Sequence, residues 1–153
     1  MSFDHEETRG YPAMADEELQ SFLSQEKLMY LATLTQDGWP HNTPILFLFD
    51  DRHLYFASLK WKKKLDNIRN NSRVSCSIDS SIEEEIRGVM VQGHARIISE
   101  EERRDEIEAM WIEQFGEFID YGGDSKEEIL ENRDYVEIAP HEVFSWGGHV
   151  EET

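Results

Sequence analysis

Basic residues are scarce in this chain: 15 Lys and Arg stand against 33 Asp and Glu, a formal net charge of −18. Docking on a phosphate backbone needs an excess of cations, so this balance excludes a general nucleic-acid binder. So acidic a surface bears on solubility and association rather than on fold, and suits either a halophilic source or simply a well-solvated protein. Cysteine is nearly absent. The lone Cys76 excludes an internal disulfide, and its strand-like surroundings read as a small core residue rather than a reactive thiol. No apolar run approaches a membrane span. Residues 1–9 are polar and acidic, without the basic start and apolar stretch of a secretion signal, so a cytoplasmic protein without a membrane partner is expected. The six His never fall at His-x-x-x-His spacing or beside a suitable Glu, so no metal site is expected. A nucleophile elbow and a P-loop are both missing.

What is present suits one packed domain over residues 1–153, with 1–15 as a flexible or partner-contacting arm: hydrophobic residues are 39% and aromatics 11%. Asp16-Glu-Glu18 opens a short helix carrying Leu19, Phe22 and Leu23 at helical spacing. The pattern then turns to strands at 28–35, 41–49 and 53–58, with Asp37-Gly38 as the first hairpin turn. Residues 60–71 read as a turn and a short helix with Leu65 and Ile68 inward. A strand at 73–79 follows, with Val74, Cys76 and Ile78 on one face. The long strand at 87–98 is broken at Gly93, a bulge signal. Ser99 and Glu102 have capping-box spacing before a helix with Ile107, Met110, Trp111 and Phe115 on one stripe. Residues 118–134 are ambiguous, with a break at Gly122-Gly123 and a possible helix at 126–131. A last strand, 135–146, is interrupted at Pro140. The expectation is a mainly β, α+β protein: six antiparallel strands in a closed or nearly closed barrel, with about three flanking helices.

Three stretches have the composition of a site. In Ser58-Leu-Lys-Trp-Lys-Lys-Lys64 and the residues after it, six of the 15 basic residues crowd between Lys60 and Arg73, a local reversal of sign. The segment leaves a strand and enters a helix, where backbone N–H groups and ammonium groups together suit a phosphate. A solvated turn paired with acidic neighbours explains the same composition. In Trp39-Pro-His-Asn-Thr-Pro-Ile45, Pro44 cannot donate to a ladder, so the strand has a free or bulged edge there. Such an edge suits a flat polar ring or is an edge and nothing more. Val143-Phe-Ser-Trp-Gly-Gly148 offers Trp146 either as a stacking residue or as a core aromatic.

In this order the three stretches resemble the pyridoxamine 5′-phosphate oxidase-like, FMN-binding split-barrel family. The similarity runs from about Leu28 to Gly148 and includes Leu54-Tyr-Phe-Ala-Ser58 and Asn67-Ile-Arg-Asn-Asn-Ser-Arg-Val74. The resemblance implies a six-stranded antiparallel Greek-key split barrel and a homodimer with flavin at the interface. It places Ser58 where a hydroxyl meets the flavin phosphate, Lys63 and Lys64 on the basic pair that clamps it, and Asn67 at the family's spacing from Lys64. Thr43, Pro44 and Ile45 fall on the strand that meets the ring and ribityl chain, and Trp146 on a residue reaching the partner's flavin.

Two departures stand out. The Arg-x-His segment that grips substrate in true pyridoxamine phosphate oxidases is missing after Trp146, and a flavin-holding Gln is replaced at Gly88. The resemblance therefore implies an FMN-dependent oxidoreductase of unassigned substrate and electron donor, not the oxidase itself, with no catalytic residue assigned. The alternatives are the deazaflavin F420 as cofactor of a reductase, a non-catalytic flavin carrier or sensor, and, more remotely, a heme-binding split barrel.

Overall fold

The computed structural model describes residues 12–116 and 125–148. Helix α1 (Asp16–Gln25) buries Leu19, Phe22 and Leu23, the stripe its spacing predicts. Strands β1 (Leu28–Leu34) and β2 (Pro40–Leu46) form the first hairpin, closed by Gly38 at φ 87°. That is left-handed backbone that favours glycine. Strand β3 (Leu48–Asp50) follows after Phe47 alone and pairs with β4 (His53–Leu59). Helix α2 (Lys63–Asn70) leads into β5 (Arg73–Asp79), and β5 pairs with β6 (Gly88–Ile97). Helix α3 (Glu101–Phe115), helix α4 (Lys126–Glu131) and β7 (Arg133–Trp146) complete the described elements.

The hydrogen-bonded order is β2-β1-β5-β6-β7-β4-β3, antiparallel at every pairing. Its two ends, β2 and β3, are consecutive pieces of one stretch separated by Phe47. The sheet therefore curls until its ends meet through the chain itself. One long strand pairs with β1 by its first half and with β4 by its second, which is why seven hydrogen-bonded strands stand where the sequence pattern predicts six. With that stretch counted once, β5 lies beside β1 of the β1–β4 meander, the Greek-key arrangement.

Closure is incomplete. β3 reaches β4 only from His53 to Tyr55, so among the described residues Phe56–Leu59 has no strand neighbour on that side. β2 likewise has no strand neighbour among the described residues on the side away from β1. The two free edges face each other across a split.

The barrel interior is filled by Met29, Leu31, Phe47, Leu54, Phe56 and Val91 with their neighbours. Cys76 lies there too, as a small core residue whose thiol burial pushes up to about 12. A second cluster outside the sheet joins Tyr55, Ala57 and Tyr135 to Ile107 and Trp111 of α3, with Met110 and Phe115 against it. The predicted stripe of α3 is thus its packing face. The predicted cap is not: Glu100 occupies the N-cap, and no side chain bonds there. At Gly93 the β6–β7 register slips opposite Pro140, which satisfies both the predicted bulge and the proline without breaking β7. The possible helix at 126–131 is formed as α4, capped by the Ser125 hydroxyl accepting from the Glu128 N–H. The Gly122-Gly123 break and most of the proposed N-terminal arm lie outside the described residues.

Candidate functional site

The split holds a cavity of about 290 Å³. Pro44, Ile45 and Leu46 of β2 form one wall, and Ala57, Ser58 and Leu59 of β4 the other. Lys62 and Lys64 stand at the start of α2, and Trp111 of α3 closes the far side. Each wall follows from the chain's local chemistry. Pro44 has no N–H and sits on an unpaired edge, where that loss costs no ladder bond. β4 is buried on both faces, between the barrel interior and α3, which holds its free edge rigidly opposite β2.

The lysines are the electrostatic centre. Although carboxylates outnumber cations two to one, none of Lys60, Lys62, Lys63 and Lys64 forms an ion pair among the described residues. In the same basic cluster Arg69 does pair with Asp66, at 3.0 Å, so acidic neighbours neutralise that cation but not the lysines. Lys64 is half-buried; burial first, and then the charge of Lys62, hold its pKa below the ordinary lysine value. Its ammonium lacks a counter-charge in the place where it is least hydrated. Just above it α2 begins at Lys63, with no side chain capping its N-terminus. The first N–H groups of a helix have no intrahelical acceptor, so those of Lys63 and Lys64 remain available to an anion.

The sequence-predicted residues divide. Pro44, Ile45, Ser58 and Lys64 line one cavity. Lys63 does not: it is outside the lining, and Lys62, itself exposed, takes the second cationic place. The reason is phase. Lys62 is the N-cap with extended backbone, φ −67° and ψ 144°, whereas Lys63 has begun the helical turn. Ser58 is buried and its hydroxyl donates to the Leu59 carbonyl at 3.1 Å. With one proton to give, it meets a phosphate as donor only after turning.

Thr43 points to the other face of β2 from Pro44, and its Oγ1 is buried without a partner among the described residues. Asn67 is wholly buried; its Nδ2 donates to Thr33 Oγ1 at 3.0 Å, so it fastens α2 to β1 and is not among the lining residues. Trp146 lies over Gly88, where any Cβ would overlap the indole, and is not brought to the lysines within one chain. Of the lining residues outside the predicted set, Leu46, Ala57, Leu59, Lys62 and Trp111, the two with a polar side-chain group are Lys62 and Trp111. The phase of a helix start identifies the first, and the second reads as packing from its stripe.

A larger hollow of about 580 Å³ lies elsewhere, on the outer side of the sheet, with Pro40, Arg73, His94 and His141 in its lining. It contains none of the predicted site residues.

An antiparallel Greek-key barrel with one open seam is the split-barrel architecture. The pyridoxamine 5′-phosphate oxidase family model matches residues 15–147, and the chain belongs to this family. Among solved structures it is similar to a conserved hypothetical protein from Mycobacterium tuberculosis, at 26% identity and TM-score 0.74 over 91% of this chain and 88% of that one. It is also similar to an FAD-binding protein from Mesorhizobium loti, at 21% identity and TM-score 0.67 over 89% and 96%. An F420 reductase shares the fold at 20% identity and TM-score 0.63, over 81% and 94%. No curated protein matches the chain. Among the described residues no helix is long and apolar enough to cross a membrane.

Proposed function

We propose that this protein binds a phosphorylated flavin, FMN, with the phosphate end in the split of the barrel, and that it works as an oxidoreductase. The observation that carries the reading is the pair Lys62 and Lys64: two cations without counter-ions, one of them half-buried, beside free helix N–H groups. A half-buried cation is incompletely hydrated, so an anion that completes it is favoured. A dianionic phosphate supplies that charge, with oxygens enough for both ammonium groups and the helix start.

The cavity, about 290 Å³, is at the small end of the range for ligand sites, about 300–1,000 Å³. It suits the phosphate and ribityl end and leaves a three-ring system outside, along the free edge of β2 at Pro44 and Ile45. A second copy of the chain would cover that ring. Leu28 and Tyr30, each 45% exposed on the outer face of β1, support such a homodimer, and Trp146 is then available to the partner's flavin.

Bound flavin supplies hydride or electron transfer. The protein's own residues bind and orient it: Lys62 and Lys64 neutralise the phosphate, Pro44 and Ile45 give the ring an edge, and Trp111 closes the inner end. F420 also carries phosphate beside a similar ring and is the alternative cofactor. A carrier or sensor role is the alternative to catalysis.

The test is the absorbance spectrum of purified protein, with mass identification of what it releases on denaturation. FMN with its visible flavin band is expected. F420 would transfer the reading to the deazaflavin, whereas a Soret band, or colourless protein with no affinity for either cofactor, would overturn it. Oxidation of NAD(P)H or reduced F420 by the loaded protein separates enzyme from carrier.

A further inference from the structure

Trp111 carries an unexplained polar atom. The side chain is buried, at 1% exposure, in the cluster between α3 and the sheet, with Phe115 at 4.5 Å and Tyr135 at 6.2 Å between ring centroids. Its Nε1 is buried and donates to no group among the described residues. Buried indole N–H groups usually find an acceptor, and an orphan is costly. Packing explains the ring but not the unsatisfied donor, because a phenylalanine would fill an apolar wall without it. The same side chain lines the split with Lys62 and Lys64.

We infer that Trp111 is a ligand-binding residue: its indole N–H donates to an oxygen at the phosphate end of the molecule held in the split. This rests on the reading of that cavity as a phosphorylated-flavin site and adds a neutral donor to its two cations. The arrangement has a consequence for selectivity. Two flexible lysines attract any small anion, whereas a donor fixed in a packed cluster rewards a phosphate held at one depth. Helix α3 thereby becomes part of the binding site, since Phe115 and Tyr135 hold the indole in place.

The experiment compares FMN with riboflavin, the same ring and chain without phosphate, on wild type and Trp111→Phe. The variant keeps an aromatic wall and removes the N–H. FMN affinity should fall about ten- to a hundredfold, the effect of one lost hydrogen bond to a charged group, with riboflavin affinity unchanged. Unchanged FMN affinity, or equal loss for both ligands, would overturn the inference and leave the site reading intact. Wild type that binds neither FMN nor F420 would remove the site reading as well.

Should Trp111→Phe fail to fold, the wild-type protein still decides. In ¹⁵N-labelled protein the four indole N–H signals are assigned from Phe replacements at Trp39, Trp61 and Trp146. The Trp111 signal should move downfield with FMN and stay in place with riboflavin. No movement at saturating FMN contradicts the inference.

Discussion

Lys62, Lys63 and Lys64 are chemically identical neighbours, and the geometry gives them different roles. Lys62 and Lys64 line the split, Lys64 half-buried and Lys62 exposed at its mouth, while Lys63 lies outside the lining. Lys64→Ala should weaken FMN binding by about 1.5–3 kcal/mol, the worth of a charge-assisted contact, with Lys63→Ala nearly neutral. Titration calorimetry on the two variants checks this ordering. The pH dependence follows from Lys64. Its pKa is already lowered in the free protein, by burial and then by Lys62, and a bound phosphate would restore the proton. Affinity should therefore fall as pH rises through that lowered value, before the ordinary lysine value of 10.5 is reached. A second loss is expected below about pH 6, where the phosphate takes up its own proton. Lys64→Arg keeps its charge and should move the alkaline loss upward; a flat profile from neutrality to alkaline pH contradicts this account. At this scale composition exposed the basic cluster. Which lysine turns inward depends on the residue at which the helix begins, and local composition leaves that open by one position.

Individual elements were legible where their signals are local. The Asp37-Gly38 turn, the Gly93 bulge and the buried stripe of α1 are all present as the sequence implies. The break between β2 and β3 is not local: Phe47 ends one pairing and begins another because β1 and β4 lie on opposite sides of the stretch. Asn67 is a similar case. Its spacing from Lys64 resembles a ligand position, but its amide is committed to Thr33, 34 residues away. Asn67→Ala should cost about 1–3 kcal/mol in chemical denaturation, because Thr33 Oγ1 is left buried without its donor. It should affect FMN affinity less than Lys64→Ala does. Gly88 is open to a sharper test. A methyl group there would overlap the Trp146 ring, so Gly88→Ala should lower stability by about 1–3 kcal/mol and shift tryptophan fluorescence. Unchanged stability would mean that the indole moves aside freely.

The whole molecule carries a charge of −18, yet four of its six lysines crowd between Lys60 and Lys64, and two of these, Lys62 and Lys64, line the seam. Like charges repel in the compact state, so salt should stabilise it: raising KCl from about 0.1 M to 1 M shortens the screening length from about 10 Å to 3 Å and should raise Tm. A melting point that falls with KCl would argue that attractive ion pairs outweigh the repulsion. For the proposed homodimer, light scattering should give twice the chain mass of 18.0 kDa. The central claim is that this seam binds the phosphate of a flavin through Lys62 and Lys64, and one titration tests it directly. FMN is titrated into wild type and into the double variant Lys62→Ala/Lys64→Ala, with folding of each checked by circular dichroism. The account predicts flavin binding by wild type and a loss of about a hundredfold or more in the folded double variant, from two charge-assisted contacts. Equal FMN affinity in the two proteins would contradict it.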